Sequence, residues 1–336
     1  MSAVKDSLML LSLDAARPMA EEVARRLDRP LVRGEECWFA SGEGKYVIRE
    51  NVRGADLYIF QAGIAPGEGR SIYDRFVMLL HAIEAASLSD AANITVILPY
   101  YPGARQDKRK DRVREGISAG LFARAIQEAG ASRVVSVEIH NEAIGGMFDP
   151  GRCRLENVYL THRMCQWMKH AGLTCSIVAS PDVGGMERAR RFAAELKAGL
   201  VGLSKERDYS TVNRVLRSTL IGEVRGKDVL IVDDIIDTAG SVVAAVDELK
   251  THGATDITVA CGHPVFSAPA IERLDGLAAR GVAEGWRFRV VGSSAVHHKN
   301  LPEWYHEFRI EPLISEIISQ LHVGGSVTWA QQADER

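Results

Sequence analysis

Short apolar runs alternate with longer stretches of helical periodicity along the whole chain, and this alternation most limits the possible folds. Runs such as ITVIL at 94–98 and VLIV at 229–232 are largely apolar on both faces. Strands of that kind lie inside parallel sheets that helices cover. The pattern predicts an α/β fold. The predicted strands are Leu8–Leu13, Asp56–Gln61, Asn93–Leu98, Arg133–Ile139, Ser176–Ala179, Leu200–Leu203, Asp228–Val232, Asp256–Cys261 and Phe288–Val291.

The length of the chain favours two domains. A chain of 336 residues is longer than a single hydrophobic core usually serves. The segment DPGRCRLEN at 149–157 combines Pro, Gly and charge, and it interrupts the alternation near the middle. We therefore predict an N-terminal α/β domain at 1–155, a C-terminal α/β domain at 156–323 and a polar tail at 324–336.

Composition excludes several classes of protein. The net charge of −3 gives no support to a nucleic-acid binder. The five cysteines are scattered and contain no C-x-x-C pair, which argues against a disulfide framework and a zinc site. No apolar stretch approaches the roughly 18 residues that a membrane span needs, and Leu8–Leu13 is too short for a signal sequence. We expect a cytoplasmic protein without membrane contact.

The segment VDDIIDTAGS at 232–241 is the strongest candidate site. It follows an apolar strand and precedes a helix. Backbone amides of Asp237–Ser241 (Asp237, Thr238, Ala239, Gly240 and Ser241) can cradle a phosphate at the positive end of that helix. Asp233 and Asp234 can accept hydrogen bonds from neighbouring sugar hydroxyls. The combination suits a phosphorylated pentose. The simpler interpretation, that Asp237 or Thr238 merely caps a helix, leaves two costly carboxylates at the end of a buried strand unexplained.

Other strand-to-helix segments also carry polar groups. Residues 105–115 hold six basic side chains against three acidic ones after the strand Asn93–Leu98, as expected of a polyphosphate site. A solvated charged loop is the alternative. The glycines of SPDVGG at 180–185 would let the backbone approach a ligand, or form a tight turn. Oxygen ligands suit Mg²⁺, which favours Asp182 as a metal ligand.

The segment at 232–241 resembles the phosphoribosyl pyrophosphate (PRPP) motif of the type I phosphoribosyltransferase superfamily. Four further blocks resemble ribose-phosphate pyrophosphokinases in order and spacing, and together they span about residues 35–328. They are FASGEGKYVIRENVRGAD (39–56), PYYPGARQD (99–107), VEIHNEAIGGMFD (137–149) and ASPDVGGMERAR (179–190). The resemblance implies two phosphoribosyltransferase-type domains and an Mg²⁺-dependent enzyme. Its reaction would move the pyrophosphoryl group of ATP onto the anomeric hydroxyl of ribose 5-phosphate, giving PRPP and AMP.

The resemblance also implies roles for individual residues. Lys205, Arg207 and His140 would be catalytic, with Arg207 also contacting ribose 5-phosphate. His140 and Asp182 would lie at the magnesium site. ATP would contact Arg105 and Gln106, and it would also contact Phe39, Ser41 and Glu43 of a neighbouring subunit. The enzyme would then be a homo-oligomer, a hexamer or a dimer-based assembly, with shared active sites. Ribose 5-phosphate would contact the residues from Asp233 to Ser241 named above.

Two departures from the family pattern and two rivals stay open. Ser41 stands where the family usually has an aspartate, and Glu206 lies between Lys205 and Arg207 where a second cation is common. A phosphoribosyltransferase would share the turn at 233–241 but lack the Arg105–Gln106 and His140 blocks. A non-catalytic regulatory homologue would have lost Lys205, Arg207, His140 or the turn. All of these residues are present.

Overall fold

The computed structural model describes residues 7–67, 69–109, 113–207 and 215–333. Within these ranges the chain forms two compact units. The first contains the residues up to Tyr159 together with Ala295–His297 and Ile310–Ala333. The second contains Leu160–Ser294 and His298–Arg309. Each unit contains a mainly parallel sheet with helices, which confirms the predicted fold class.

The elements before residue 160 include the four predicted strands and four strands that were not predicted. The strands are β1 (Leu8–Ser12), β2 (Leu31–Val32), β3 (Gly34–Trp38), β4 (Gly44–Ile48), β5 (Asp56–Phe60), β6 (Asn93–Ile97), β7 (Arg133–Val137) and β8 (Arg154–Val158). The α-helices are α1 (Arg17–Leu27), α2 (Ile72–Leu88) and α3 (Ser118–Ala129), and short 3₁₀ helices form at Asp14–Ala16 and Glu142–Met147.

The elements after residue 160 also combine strands with helices. The strands are β9 (Ile177–Ser180), β10 (Gly199–Arg207), β11 (Val215–Ile221), β12 (Val229–Ile236), β13 (Ile257–Pro264), β14 (Phe288–Ser293) and β15 (Tyr305–Phe308). The helices are α4 (Thr161–His170), α5 (Met186–Leu196), α6 (Gly240–Thr251), α7 (Ala270–Glu284), α8 (Glu311–His322) and α9 (Val327–Gln332).

The sheet of the first unit runs in the order β2-β1-β5-β6-β7-β8 with parallel pairing throughout. All five residues of β5 are buried, as expected for a strand covered on both faces. The helix α2 begins at a capping box in which Ser71 and Asp74 satisfy each other's backbone N–H groups.

The sheet of the second unit runs in the order β11-β10-β9-β12-β13-β14-β15. Its pairings are parallel except for β10 with β11, which are antiparallel. All eight residues of β13 are buried. The strand β12 lies inside the sheet, between β9 and β13, and its carboxyl end is paired with β13 as far as Ile236.

A two-stranded antiparallel hairpin, β3 with β4, was not among the predicted strands. The hairpin packs closely on α2: a Cβ added at Gly44 would lie only 2.6 Å from Cε of Met78. The hydroxyl of Tyr46 donates a hydrogen bond to the carbonyl of Ser12 at 3.0 Å. Most side chains of both strands are half-buried, so the strands lack the alternation of apolar and polar residues by which a strand is recognised in a sequence.

The predicted domain limits at the C-terminal end need correction. Helices α8 and α9 belong to the first unit, whereas the prediction placed 311–323 in the second domain and 324–336 in a tail. Nδ1 of His322 lies 2.7 Å from the carboxylate of Asp56, and the Tyr58 hydroxyl lies 3.1 Å from the same carboxylate. In α9, Ala330 is fully buried. A buried carboxylate needs partners, and these partners hold α8 against β5.

Among the described residues, no helix combines the length and the apolar character that crossing a membrane requires.

We predict that His322→Ala lowers the free energy of unfolding by about 1–3 kcal/mol, because Asp56 loses a hydrogen-bonding partner in a buried position. Urea denaturation followed by circular dichroism measures the change. The matched control is His252→Ala, whose ring is 48% exposed and contacts Glu248 of its own helix. It should change stability by less than about 0.5 kcal/mol. Equal losses in the two variants would contradict the role given to His322.

Candidate active site

The strand β12 extends further than the sequence indicated. The predicted strand ended at Val232, but pairing with β13 continues to Ile236 opposite Pro264. Asp233 and Asp234 therefore lie within the strand. Asp234 is only 6% exposed, while Asp233 is half-buried. The two residues are in direct contact, because the Asp234 N–H donates to a carboxylate oxygen of Asp233 at 2.9 Å.

The pKa of Asp233, at this end of the strand, is strongly shifted. Burial, the charge of Asp234 and the charge of Asp182 together hold the pKa of Asp233 well above its usual range. Arg188 on α5 opposes this shift. Its Nη1 lies 3.7 Å from a carboxylate oxygen of Asp234, and its side chain is 19% exposed. Sequence reasoning missed Arg188, because the pair joins α5 to β12 and no local spacing reveals it.

The turn from Asp237 to Ala239 joins β12 to α6. Ala239 has a φ of 60°, in the left-handed region, and serves as the N-cap of α6. An alanine offers no side-chain acceptor to the first turn, and neither Asp237 nor Thr238 occupies the N-cap position that the capping alternative gave them. The amides of the first turn of α6 need a partner, and an anion at the positive end of a helix is a suitable one.

A second arginine that sequence reasoning missed lies at this turn. Nη1 of Arg273, on α7, donates a hydrogen bond to the carbonyl of Thr238 at 2.8 Å. A Cβ added at Gly240 would lie 3.5 Å from the same nitrogen. Arg273 is 35 residues away in sequence. A single arginine in a helix carries no signal by itself that it faces this turn.

Asp182 lies after β9, the strand next to β12. One carboxylate oxygen accepts the N–H of Gly185 at 2.9 Å, and the Ser180 hydroxyl donates to the carbonyl of Asp182 at 2.6 Å. A Cβ at Gly185 would lie 2.8 Å from the Ser180 hydroxyl oxygen, so glycine is required for this packing. Gly184 has more room, because a Cβ added there would lie 3.4 Å from the Asp182 carboxylate. Local packing explains Gly185, whichever ligand binds.

Lys205 and Arg207 follow the predicted strand Leu200–Leu203, but the observed strand continues past both of them. Both lie in β10, which pairs with β11 and has an irregularity between Glu206 and Arg207. Their side chains lie outside the part of the chain that the structure describes. Strand β9 separates β10 from β12. Lys205 and Arg207 thus lie on β10, Asp182 follows β9, and Asp233 and Asp234 lie on β12. These three strands are neighbours in the sheet.

In the first unit, the structure brings together the loops after β6 and β7. Asn141 donates from Nδ2 to a carboxylate oxygen of Asp107, which links the His140 loop to the Arg105–Asp107 loop. The Ser118 hydroxyl donates to the side-chain oxygen of Gln106 at 2.5 Å. Arg105, Gln106 and His140 are exposed. The predicted ATP-contacting residues of this unit therefore lie on two joined loops at one edge of the sheet.

Phe39, Ser41 and Glu43 lie at the tip of the β3–β4 hairpin. Phe39 is 53% exposed, although its ring is large and apolar. The Ser41 hydroxyl donates to the Glu43 carboxylate at 3.0 Å. The tip is closed by a bond from the Phe39 N–H to the Glu43 carbonyl at 2.8 Å. The hairpin thus presents an exposed aromatic ring beside a carboxylate.

No group of three potential metal-ligating side chains (His, Cys, Asp or Glu) occurs among the described residues. This does not disfavour magnesium, because Mg²⁺ is usually held by one or two carboxylates together with waters and substrate phosphates.

Two units with mainly parallel sheets, and an acidic strand end that runs into the amino end of a helix, define a protein of the phosphoribosyltransferase type. Residues 8–130 match the N-terminal domain of ribose phosphate pyrophosphokinase, and residues 163–276 match the phosphoribosyl transferase domain. The chain belongs to the ribose-phosphate pyrophosphokinase family, which confirms the resemblance of the five blocks. Its enzyme class is that of a pyrophosphoryl transferase in PRPP biosynthesis.

Individual relatives match almost the whole chain. The ribose-phosphate pyrophosphokinase of Halalkalibacterium halodurans is 33% identical over 322 residues, which cover 96% of each protein. That of Chlorobaculum tepidum is 36% identical over 312 residues, covering 93% of this chain and 91% of the relative. The crystal structure of phosphoribosylpyrophosphate synthetase from Mycobacterium smegmatis has a TM-score of 0.82 and 32% identity, and covers 95% of this chain and 100% of that chain.

We predict that Arg188→Met shifts the acid limb of the pH profile of kcat/KM to higher pH. Arg188 lowers the pKa of Asp233, so its removal lets the Asp233 carboxylate protonate at a higher pH. The loss should reach about tenfold at the acid end, equivalent to about 1.4 kcal/mol, and should shrink as pH rises. The control Arg190→Met removes an arginine of the same helix that is 68% exposed and bonds Glu187. A loss that is the same at every pH would contradict an electrostatic role for Arg188.

Proposed function

We propose that the protein catalyses attack of the anomeric hydroxyl of ribose 5-phosphate on the β-phosphorus of ATP. A bond forms between that oxygen and the β-phosphorus, the bond from the β-phosphorus to the α–β bridging oxygen breaks, and AMP leaves. The single observation that carries this proposal is the strand end and turn from Asp233 to Ser241, which leads into the amino end of α6 with an alanine at the N-cap. It combines carboxylates for a diol with backbone amides for a phosphate.

The sugar phosphate would use both parts of this segment. Its phosphate would bind the amides from Asp237 to Ser241, where the helix dipole favours negative charge. Asp233 would accept hydrogen bonds from the ribose hydroxyls, with Asp234 beside it. Asp234 is buried and paired with Arg188, so its role would be to hold the strand end in place. The more exposed Asp233 would contact the sugar.

Lys205 and Arg207 would stabilise the transferred group. Phosphoryl transfer depends mainly on positioning and charge neutralisation, and cations that contact the transferring phosphates contribute directly. Both residues come from β10, next to the strand that precedes Asp182. Arg207 would also contact ribose 5-phosphate. No general base is assigned.

ATP would bind the two joined loops of the first unit. The Arg105 guanidinium would stack on the adenine, Gln106 would contact the nucleotide and His140 would lie at its phosphates or their metal. A neighbouring subunit would supply Phe39, Ser41 and Glu43. Support comes from the exposed Phe39 ring at the hairpin tip, since an exposed aromatic group is available to stack on a base. The active enzyme would then be a homo-oligomer.

The residues fit a magnesium ion. In Asp182, one carboxylate oxygen bonds Gly185, and the other carries no hydrogen bond among the described residues. The repulsion between Asp182 and Asp233 contributes to the raised pKa of Asp233, and a cation would relieve it. Oxygen ligands are those that Mg²⁺ prefers. When bound, Mg²⁺ neutralises phosphate charge and orients the triphosphate. Asp182 would hold it, with His140 contacting it directly or through water.

We predict equal amounts of AMP and PRPP when the protein is incubated with ATP, ribose 5-phosphate and Mg²⁺, and about 100-fold slower turnover in Lys205→Ala, since one such cation contributes on the order of 2–4 kcal/mol. Phosphorus NMR identifies both products. The control is Lys227→Ala, an exposed lysine before the amino end of β12. Near-normal turnover of Lys205→Ala would remove Lys205 from the mechanism.

The same assay separates the rival functions. A non-catalytic regulatory homologue would bind ATP or ribose 5-phosphate and form neither product. A phosphoribosyltransferase would consume PRPP with a base and release pyrophosphate. Absence of binding to pentose phosphate and nucleotide alike would refute the proposal.

We also predict that Asp182→Asn raises the Mg²⁺ concentration needed for half-maximal rate by at least about tenfold, because an amide oxygen is a weaker ligand than a carboxylate and the loss of one ligand charge is worth roughly 1.4 kcal/mol or more. Initial rates over a magnesium titration at fixed ATP give this value. Glu187→Gln serves as the control, since Glu187 is 55% exposed and pairs with Arg190. A parallel change in both variants would argue against a metal contact by Asp182.

A further inference from the structure

The carbonyl of Thr238 is held from outside the sugar-phosphate turn by Arg273. The Arg273 side chain reaches it from α7, with a hydrogen bond of 2.8 Å from Nη1. The segment after β13 runs beside the end of β12, because the Phe266 N–H donates to the Ile236 carbonyl at 3.0 Å. The first turn of α7 therefore lies next to the turn, and Arg273 is its fourth residue.

This contact fixes more than a carbonyl. The Thr238 carbonyl and the Ala239 N–H belong to one trans peptide unit, in which the two groups point in opposite directions. An arginine that fixes the carbonyl on one side thereby aims the Ala239 N–H to the other side. Ala239 has a positive φ, and backbone N–H groups around such a residue can form a concave anion-binding site. This backbone conformation is unfavourable for alanine, so a contact from outside the turn helps to stabilise it.

We propose that Arg273 is a positioning residue for the sugar phosphate: its bond to Thr238 keeps the turn in the conformation whose amides bind the phosphate of ribose 5-phosphate. This inference rests on the proposed function of the turn. Arg273 acts through the peptide plane, and contact with the substrate is not required. Its charge adds positive potential at the positive end of α6, where the phosphate would lie.

A matched control exists on the same helix. Arg280 also joins α7 to α6, through a 2.6 Å bond from Nη1 to a carboxylate oxygen of Asp247. Asp247 is eight residues from Ala239, well inside α6. Replacing Arg280 thus removes an arginine link between the same two helices and leaves the Thr238 carbonyl held. The comparison separates turn positioning from general helix packing.

The test is calorimetric titration of ribose 5-phosphate into wild-type, Arg273→Met, Arg273→Lys and Arg280→Met proteins, with steady-state KM values alongside. Arg273→Met should raise the Kd for ribose 5-phosphate by at least about tenfold and leave the KM for ATP within about twofold. Arg273→Lys should recover part of the affinity, because an ammonium can donate to the same carbonyl. Arg280→Met should bind ribose 5-phosphate within about twofold of wild type.

An unchanged Kd in Arg273→Met, or an equal loss of affinity for ATP and ribose 5-phosphate, would overturn the proposal. If Arg273→Met does not fold, as judged by its thermal transition, Arg273→Gln takes its place, and the same two outcomes decide. The failure of the proposed function is seen separately. A wild-type protein that binds ribose 5-phosphate but makes no PRPP or AMP lacks the activity, and its titration still tests Arg273.

Discussion

The parallel pairing of β9 with both β10 and β12 is the constraint on which the second unit's chemistry depends. The carboxyl ends of neighbouring parallel strands emerge at one edge of a sheet. Asp182, Lys205 and Asp233 come from distant parts of the sequence, yet they stand on or after adjacent strands. The first unit repeats the principle with β6 and β7, whose following loops are tied by Asn141 and Asp107.

The same edge of the sheet brings several carboxylates close together, and their mutual repulsion opposes folding. Burial and the charges of Asp234 and Asp182 raise the pKa of Asp233, and Arg188 offsets part of that shift. Groups with perturbed pKa values often mark functional sites. The arrangement suits the proposed ligands, because sugar hydroxyls can donate hydrogen bonds to these carboxylates and a bound cation can reduce their mutual repulsion.

The sequence was sufficient for whatever depends on local pattern. Apolar runs predicted the inner strands of both sheets, and the Asp233–Ser241 segment predicted a strand end followed by a helix. The edge strands β2, β8, β11 and β15 were not predicted. The local sequence pattern did not predict which strands pair with each other. Nothing near Lys205 shows that β11 will pair with it, and nothing near Asp234 shows that β12 continues along β13 to Ile236.

Contacts between distant elements were missed for the same reason. Arg188 and Arg273 meet their partners across the fold, at separations that no local spacing encodes. The β3–β4 hairpin has half-buried side chains on both strands and so lacks a clear period of two. The roles assigned to Phe39, Arg105, His140 and Lys205 rest on family resemblance, and they stay predictions.

The return of α8 and α9 to the first unit has a consequence for how the polypeptide is made. During translation, β5 and its buried Asp56 leave the ribosome long before His322 exists to bond that carboxylate. The earliest part of the chain must wait for the whole second unit to be synthesised before its own structure is complete. A break at Tyr159 would therefore not yield two self-sufficient fragments. The amino-terminal fragment would need residues 310–333 added back as a separate peptide.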